Sequence, residues 1–189
     1  LVGYIAIGVF LAVIGLFLWI IDSESSGGYN ILDNGQSTLG PLFDIAPFLY
    51  LLLIPAITMR SFSEEKSRGT IELLLTRPLT DFQIVLAKYL AGTLIVFISL
   101  FPTLIYYYTV HQLGYPKGNI DTGAMWGSYF GVFFLGCSFV AIGVFASSIS
   151  NNQVIAFVLG LLLCGFFYFG FYFIGNSGIF GSMDLFIQN

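Results

Sequence analysis

Charge is scarce in this chain of 189 residues: Asp, Glu, Lys and Arg make up 8% of it, ten acids and six bases, against about 25% in a soluble domain. Hydrophobic residues supply 57% and aromatic residues 18%. A globule of this size cannot cover its surface with so few charges, so an ordinary soluble domain is excluded and the bilayer is implied. Intrinsic disorder is excluded by the same apolar content. Histidine occurs once, as His111, and cysteine twice, as Cys137 and Cys164, both inside apolar runs. With no CxxC pair and no His/Cys cluster, no metal site is expected, and the two thiols read as small packing residues. No GxxxxGK[ST] loop is present, so the chain has no recognisable means of binding ATP. No Ser/His/Asp or Cys/His set is available for nucleophilic catalysis, no cofactor is expected, and the net charge of −4 argues against a nucleic-acid partner.

Long apolar runs are what the chain does have. Charge-free stretches cover 1–21, 45–59, 89–116 and 122–183. A spanning helix needs about 20 residues. The last stretch would make a rod of roughly 93 Å, about three times the hydrocarbon thickness, so it must fold back. Its one polar break is the run from Ser147 to Gln153, where Ser150 and Gln153 have capping-box spacing. The expected architecture is all-α: a polytopic bundle of five transmembrane helices near 2–21, 45–62, 81–109, 124–147 and 151–174, forming a single transmembrane domain over 1–189. Pro47 suits the first turn of the second helix, and Pro55 predicts a kink in it. The first span lacks the basic n-region and small-residue cleavage site of a signal peptide. The chain begins inside an apolar stretch and five spans leave the termini on opposite sides, so a fragment of a six-span protein is expected.

Orientation follows from Lys and Arg. Arg60, Lys66, Arg68, Arg77 and Lys88, five of the six, fall around the connection between the second and third helices, which places that connection in the cytoplasm. The clusters Tyr106 to Tyr108 and Phe166 to Phe173 then fall near outer helix ends, as an aromatic belt or as packed rings. His111 reads as an interface residue.

The connection from Arg60 to Lys88 holds nine of the sixteen charges, five basic and four acidic. It is too long for a plain turn between helices. Gly69 supplies a bend and Thr70 a candidate N-cap, with Glu72 in the following first turn. Ile71, Leu74 and Leu75 fall on one helical stripe, and Arg77-Pro78 ends it. Thr80 and Gln83 form a second capping box that opens the third helix. The expectation is a short amphipathic helix on the cytoplasmic side, able either to dock into a groove on a soluble partner or to lie on lipid headgroups.

The run Glu65-Lys66-x-x-Gly69-Thr70-x-Glu72-x-Leu74-Leu75-x-x-Pro78, followed by Ala87-Lys88, resembles the cytoplasmic segment of ABC-2-type transporter permeases. The turn Ala146-Ser147-Ser148-x-x-x-Asn152-Gln153 is similar to theirs too. PAITMR (55–60), GTIELLLTRPLTD (69–81) and GNIDTG (118–123) resemble the gliding-motility-associated (GldF-like) permease subunit. The resemblance covers nearly the whole chain, apart from the family's N-terminal elbow and last span. It implies a permease subunit of the bacterial inner membrane, a homo- or heterodimer of such subunits, and ATP hydrolysis on a separate ABC ATPase subunit. In that frame Glu64, Glu65, Arg68, Gly69, Thr70, Ile71, Glu72, Leu74 and Leu75 form a coupling helix that rests on the ATPase, and the cargo is exported or a machine assembled.

Other readings stay open. Span interiors without acids or bases argue against an ion-coupled transporter, and fit an energy source outside the membrane or a non-transporting scaffold. The inner turn at Ser150, Asn151 and Asn152 is either a second cytoplasmic contact or a plain turn. Gly123, Gly127 and Gly131, and likewise Ala156, Gly160 and Cys164, recur every four residues. Such stripes let helices approach closely in lipid, within one chain or between two.

Overall fold

The computed structural model describes residues 2–21, 29–31, 38–70, 80–114 and 120–176. Among these the chain is helical, with no strand. In order come α1 (Val2–Trp19), α2 (Gly40–Thr58), α3 (Arg60–Ser67), α4 (Asp81–Leu100), a 3₁₀ turn (Phe101–Thr103), α5 (Leu104–Leu113), α6 (Thr122–Ile149) and α7 (Gln153–Asn176). Five helical segments are long and apolar enough to cross a membrane: α1, α2 run on into α3, α4 run on into α5, α6, and α7 as far as Gly170. The five-span, all-helical architecture is therefore as expected.

Three local expectations are corrected. The second span begins at Gly40, not near 45, with Pro41 in its first turn and Pro47 inside it. Asp44 did not delay the start because it stands exposed near the end of the helix, where a charge is tolerated. The helix pattern of this span lapses at Met59, whose N–H still donates to the Pro55 carbonyl at 2.9 Å. The third span is broken at Phe101–Thr103, because Pro102 lacks an N–H and its ring displaces the preceding turn. The last helix is capped by Asn152 rather than Ser150: the Val154 N–H donates to Asn152 Oδ1 at 2.9 Å, while the Ser150 hydroxyl accepts the Asn152 N–H at 3.0 Å inside the turn. By contrast, the capping box at Thr80 and Gln83 forms in both directions, at 3.4 and 3.1 Å.

Helix α6 is central and packs against α2, α3, α4 and α7. Lipid supplies no hydrophobic drive between helices, so contact depends on close approach and polar pairing. A Cβ on Gly92 would lie 2.6 Å from Val140 Cγ1, one on Gly136 2.7 Å from Val96 Cγ1, and one on Gly143 2.1 Å from Thr58 Oγ1. Polar side chains inside the bundle are paired: Tyr50 and Ser99 share a hydrogen bond of 2.7 Å, and the Thr103 and Tyr129 hydroxyls lie 3.1 Å apart. The Tyr50 ring stacks on Phe10 with centroids 4.6 Å apart. Leu94, Phe130 and Leu162 stand exposed on the outside of the bundle, which hydrocarbon solvates and water would not.

The two small-residue stripes part company. Ala156, Gly160 and Cys164 are buried, with Gly160 against Pro55 and Ala146, so this stripe seats α7 within the chain. Gly123, Gly127 and Gly131 are exposed, and a Cβ on Gly127 or Gly131 would meet nothing. Among the described residues none packs on Gly127 or Gly131. The buried face of α6 instead follows Met125, Tyr129, Val132, Gly136, Val140, Gly143 and Ser147, a spacing of three or four residues that the glycine register leaves.

Candidate functional site

The charged helix α3 continues α2 beyond Met59, and its eight residues are RSFSEEKS. Its polar composition cannot enter hydrocarbon, so it marks where the second span leaves the apolar layer. Glu64 and Arg68 pair at 2.7 Å one turn apart, on a largely exposed surface. Such an exposed pair contributes about 0.3–0.5 kcal/mol. The helix stops in a Schellman turn. Gly69 takes φ +67°, its N–H donates to the Lys66 carbonyl at 3.2 Å, and the Thr70 N–H donates to the Glu65 carbonyl at 3.0 Å. A left-handed residue costs glycine little, so Gly69 redirects the chain immediately after α3.

Three contacts hold α3. From α4, Lys88 pairs with Glu65 at 2.5 Å, donates to the Ser61 carbonyl, and lies 4.1 Å from the centre of the Phe62 ring. Its side chain is 18% exposed, so salt screens this pair less than the Glu64–Arg68 pair. Lys66 of α3 itself donates to the Ser148 carbonyl at the end of α6. Third, the fully buried Ser147 of α6 sits at the junction of α2 and α3. Its hydroxyl accepts the N–H groups of Phe62 at 2.9 Å and Ser63 at 3.1 Å, and donates to the Met59 carbonyl at 2.9 Å. One donor and two acceptors use the full capacity of a hydroxyl. In a regular helix those N–H groups point at the carbonyls of Thr58 and Met59; at this junction, a side chain from another span also receives them. Ser63 adds a bond from its own hydroxyl to the Met59 carbonyl.

The structure brings two separately expected regions together. Ser67, at the end of α3, lines an open polar hollow with Asn151, Asn152, Gln153 and Val154. Glu64, Glu65, Arg68, Gly69, Thr70, Ser150, Asn151 and Asn152 therefore belong to one end of the bundle. Asn151 and Asn152 are exposed there, while Ser150 is buried and bonded within its turn. Ile71, Glu72, Leu74 and Leu75 lie outside the described residues. Sequence reasoning missed Ser147 as a fastening residue, although a polar side chain at the end of an apolar run must find a partner in lipid. It also missed that Lys88 grips α3.

The arrangement offers no reaction chemistry. It offers a polar helix that continues α2 and is bonded to α4 and α6. The family model described as ABC-2 family transporter protein matches residues 4–180, and the chain belongs to that family. It is accordingly an integral membrane protein, a permease subunit of an ABC transporter, and such permeases are membrane subunits that are not themselves catalysts and generally work with an ABC ATPase subunit. No curated protein and no solved structure matches the chain.

Proposed function

We propose that this permease belongs to the gliding-motility-associated type and sits in the bacterial inner membrane. The Lys/Arg-rich end faces the cytoplasm, and a separate ABC ATPase subunit docks on residues 64–76, with Ser150, Asn151 and Asn152 as a second, smaller contact. ATP hydrolysis on that partner drives export or the assembly of a machine. A second permease subunit, identical or related, completes the membrane unit.

The observation that carries this reading is the fastening of α3. A loop that merely joined two spans would need no buried hydroxyl and no half-buried lysine to hold it. Here α3 is continuous with α2, bonded to α6 through Ser147 and paired with α4 through Lys88, so a push on it reaches three spans. The exposed stripe Gly123, Gly127 and Gly131 leaves room for close approach by a second subunit.

The test is co-purification of the full-length protein with its ABC ATPase, followed by ATP hydrolysis in lipid nanodiscs with and without candidate cargoes. A stable complex whose hydrolysis responds to a cargo is expected. Absence of a complex overturns the reading, and a complex that no cargo stimulates favours a scaffold.

A further inference from the structure

We propose that Ser147 is a positioning residue that routes the motion of α3 into α6, and that Lys88 forms a separate route into α4. This rests on the docking reading above and adds to it which span moves through which contact.

Geometry separates the routes. The helix pattern lapses for one residue at Met59, whose backbone stays right-handed helical, so α3 continues α2, and its tie to α6 is a separate contact. The Ser147 hydroxyl of α6 holds backbone groups of the junction, Met59 and then Phe62 and Ser63. One turn earlier on α6, Gly143 lets Thr58 approach so closely that a Cβ would lie 2.1 Å from its hydroxyl oxygen. Lys66 adds a tether to the Ser148 carbonyl. The end of α6 thus follows α3 through buried bonds to its backbone. The link to α4 is of another kind, a single side chain, Lys88, holding Glu65, the Ser61 carbonyl and the Phe62 ring.

The Ser147 hydroxyl ties the α2–α3 junction to α6. Its removal leaves the Phe62 and Ser63 N–H groups with only the carbonyls of Thr58 and Met59, four residues back, to satisfy them. The backbone at Met59 is already helical, so α2 and α3 stay joined without that tie. A push on α3 travels along α2, and α6 is released.

The experiment uses the full-length permease with its ABC ATPase in nanodiscs. Spin labels are placed on bioorthogonal residues, so that Cys137 and Cys164 stay as they are. One pair joins Asp44 on α2 to Thr122 at the far end of α6, and a second joins Asp44 to Gln112 on α5. Distances are measured without nucleotide and after trapping with ATP and vanadate. In the wild type both distances shift. Ser147→Ala is expected to lose the Asp44–Thr122 shift and keep the Asp44–Gln112 shift; Lys88→Met does the reverse. Both still capture the ATPase. If Ser147→Ala does not assemble, Ser147→Cys, which keeps the side chain's size but bonds weakly, decides. Capture of the ATPase with an undiminished Asp44–Thr122 shift in Ser147→Ala and Ser147→Cys overturns the routing and leaves the docking reading standing. Failure of the wild type to bind any ABC ATPase overturns both.

Discussion

The hydroxyl oxygen of Ser147 lies 2.9 Å from the backbone nitrogen of Phe62, a residue 85 positions earlier in the chain. This bond crosses from the central span to the charged helix that leaves the membrane. It explains how a chain with almost no charged side chains in its spans holds a polar helix at a fixed place. The helix has little apolar surface of its own, and buried backbone bonds, two lysines and one bent glycine do the holding.

Close packing at the junction predicts a sharp contrast between glycines. Gly143→Ala forces its Cβ onto Thr58, whose hydroxyl is already bonded to the Ile54 carbonyl at 2.9 Å. It should destabilise the fold by about 1–3 kcal/mol. Gly8→Ala on α1, which meets open space, should be neutral or slightly stabilising through helix propensity, within about 1 kcal/mol. Thermal unfolding in detergent, followed by size-exclusion recovery, checks both. Equal loss in the two variants would contradict the packing described.

The two ion pairs on α3 should differ in kind. Arg68→Ala breaks an exposed pair and should cost less than about 1 kcal/mol, a loss that fades as salt rises. Lys88→Met leaves Glu65 without its partner and the Ser61 carbonyl without its donor, and should cost about 1–3 kcal/mol with little salt dependence. In a double-mutant cycle, Lys88→Met with Glu65→Gln should show a coupling of about 0.5–3 kcal/mol. A coupling near zero would mean that the pair contributes only position.

Orientation has its own test. A cysteine placed at Ser67, in otherwise accessible-thiol-free cells, should react with a membrane-impermeant maleimide only after permeabilisation. Reaction in intact cells would place the Lys/Arg-rich end outside and remove the basis for an ATPase contact there.

The five spans were legible because continuous apolar length is a strong signal that needs no knowledge of neighbours. The Thr80–Gln83 box was legible because both halves of it are local. Three features were not. The junction at Met59 is fastened by a hydroxyl from a distant helix, so no local pattern marks it. The packing face of α6 was misjudged because a helix apolar all round carries no moment to show which side meets a partner, and the conspicuous stripe from Gly123 to Gly131 lies off that face. The cap at Asn152 competed with Ser150 two residues away, and choosing between them requires the path of the turn. Pro102 was visible as a helix breaker and should have divided the third span.

The central claim is that residues 64–76 receive an ABC ATPase subunit, and Leu74→Asp tests it most directly. On this account Leu74 anchors the contact and Arg68 lies at its rim. The measurement is pull-down of the ATPase by full-length permease, after membrane insertion of each variant has been confirmed. Leu74→Asp buries an unpaired charge and should weaken binding by about 2 kcal/mol or more, roughly 30-fold in Kd. Arg68→Ala should produce a smaller loss that depends on salt. If Leu74→Asp captures the ATPase and supports activity as the wild type does, the segment is not the docking site, and a helix lying on the lipid surface takes its place.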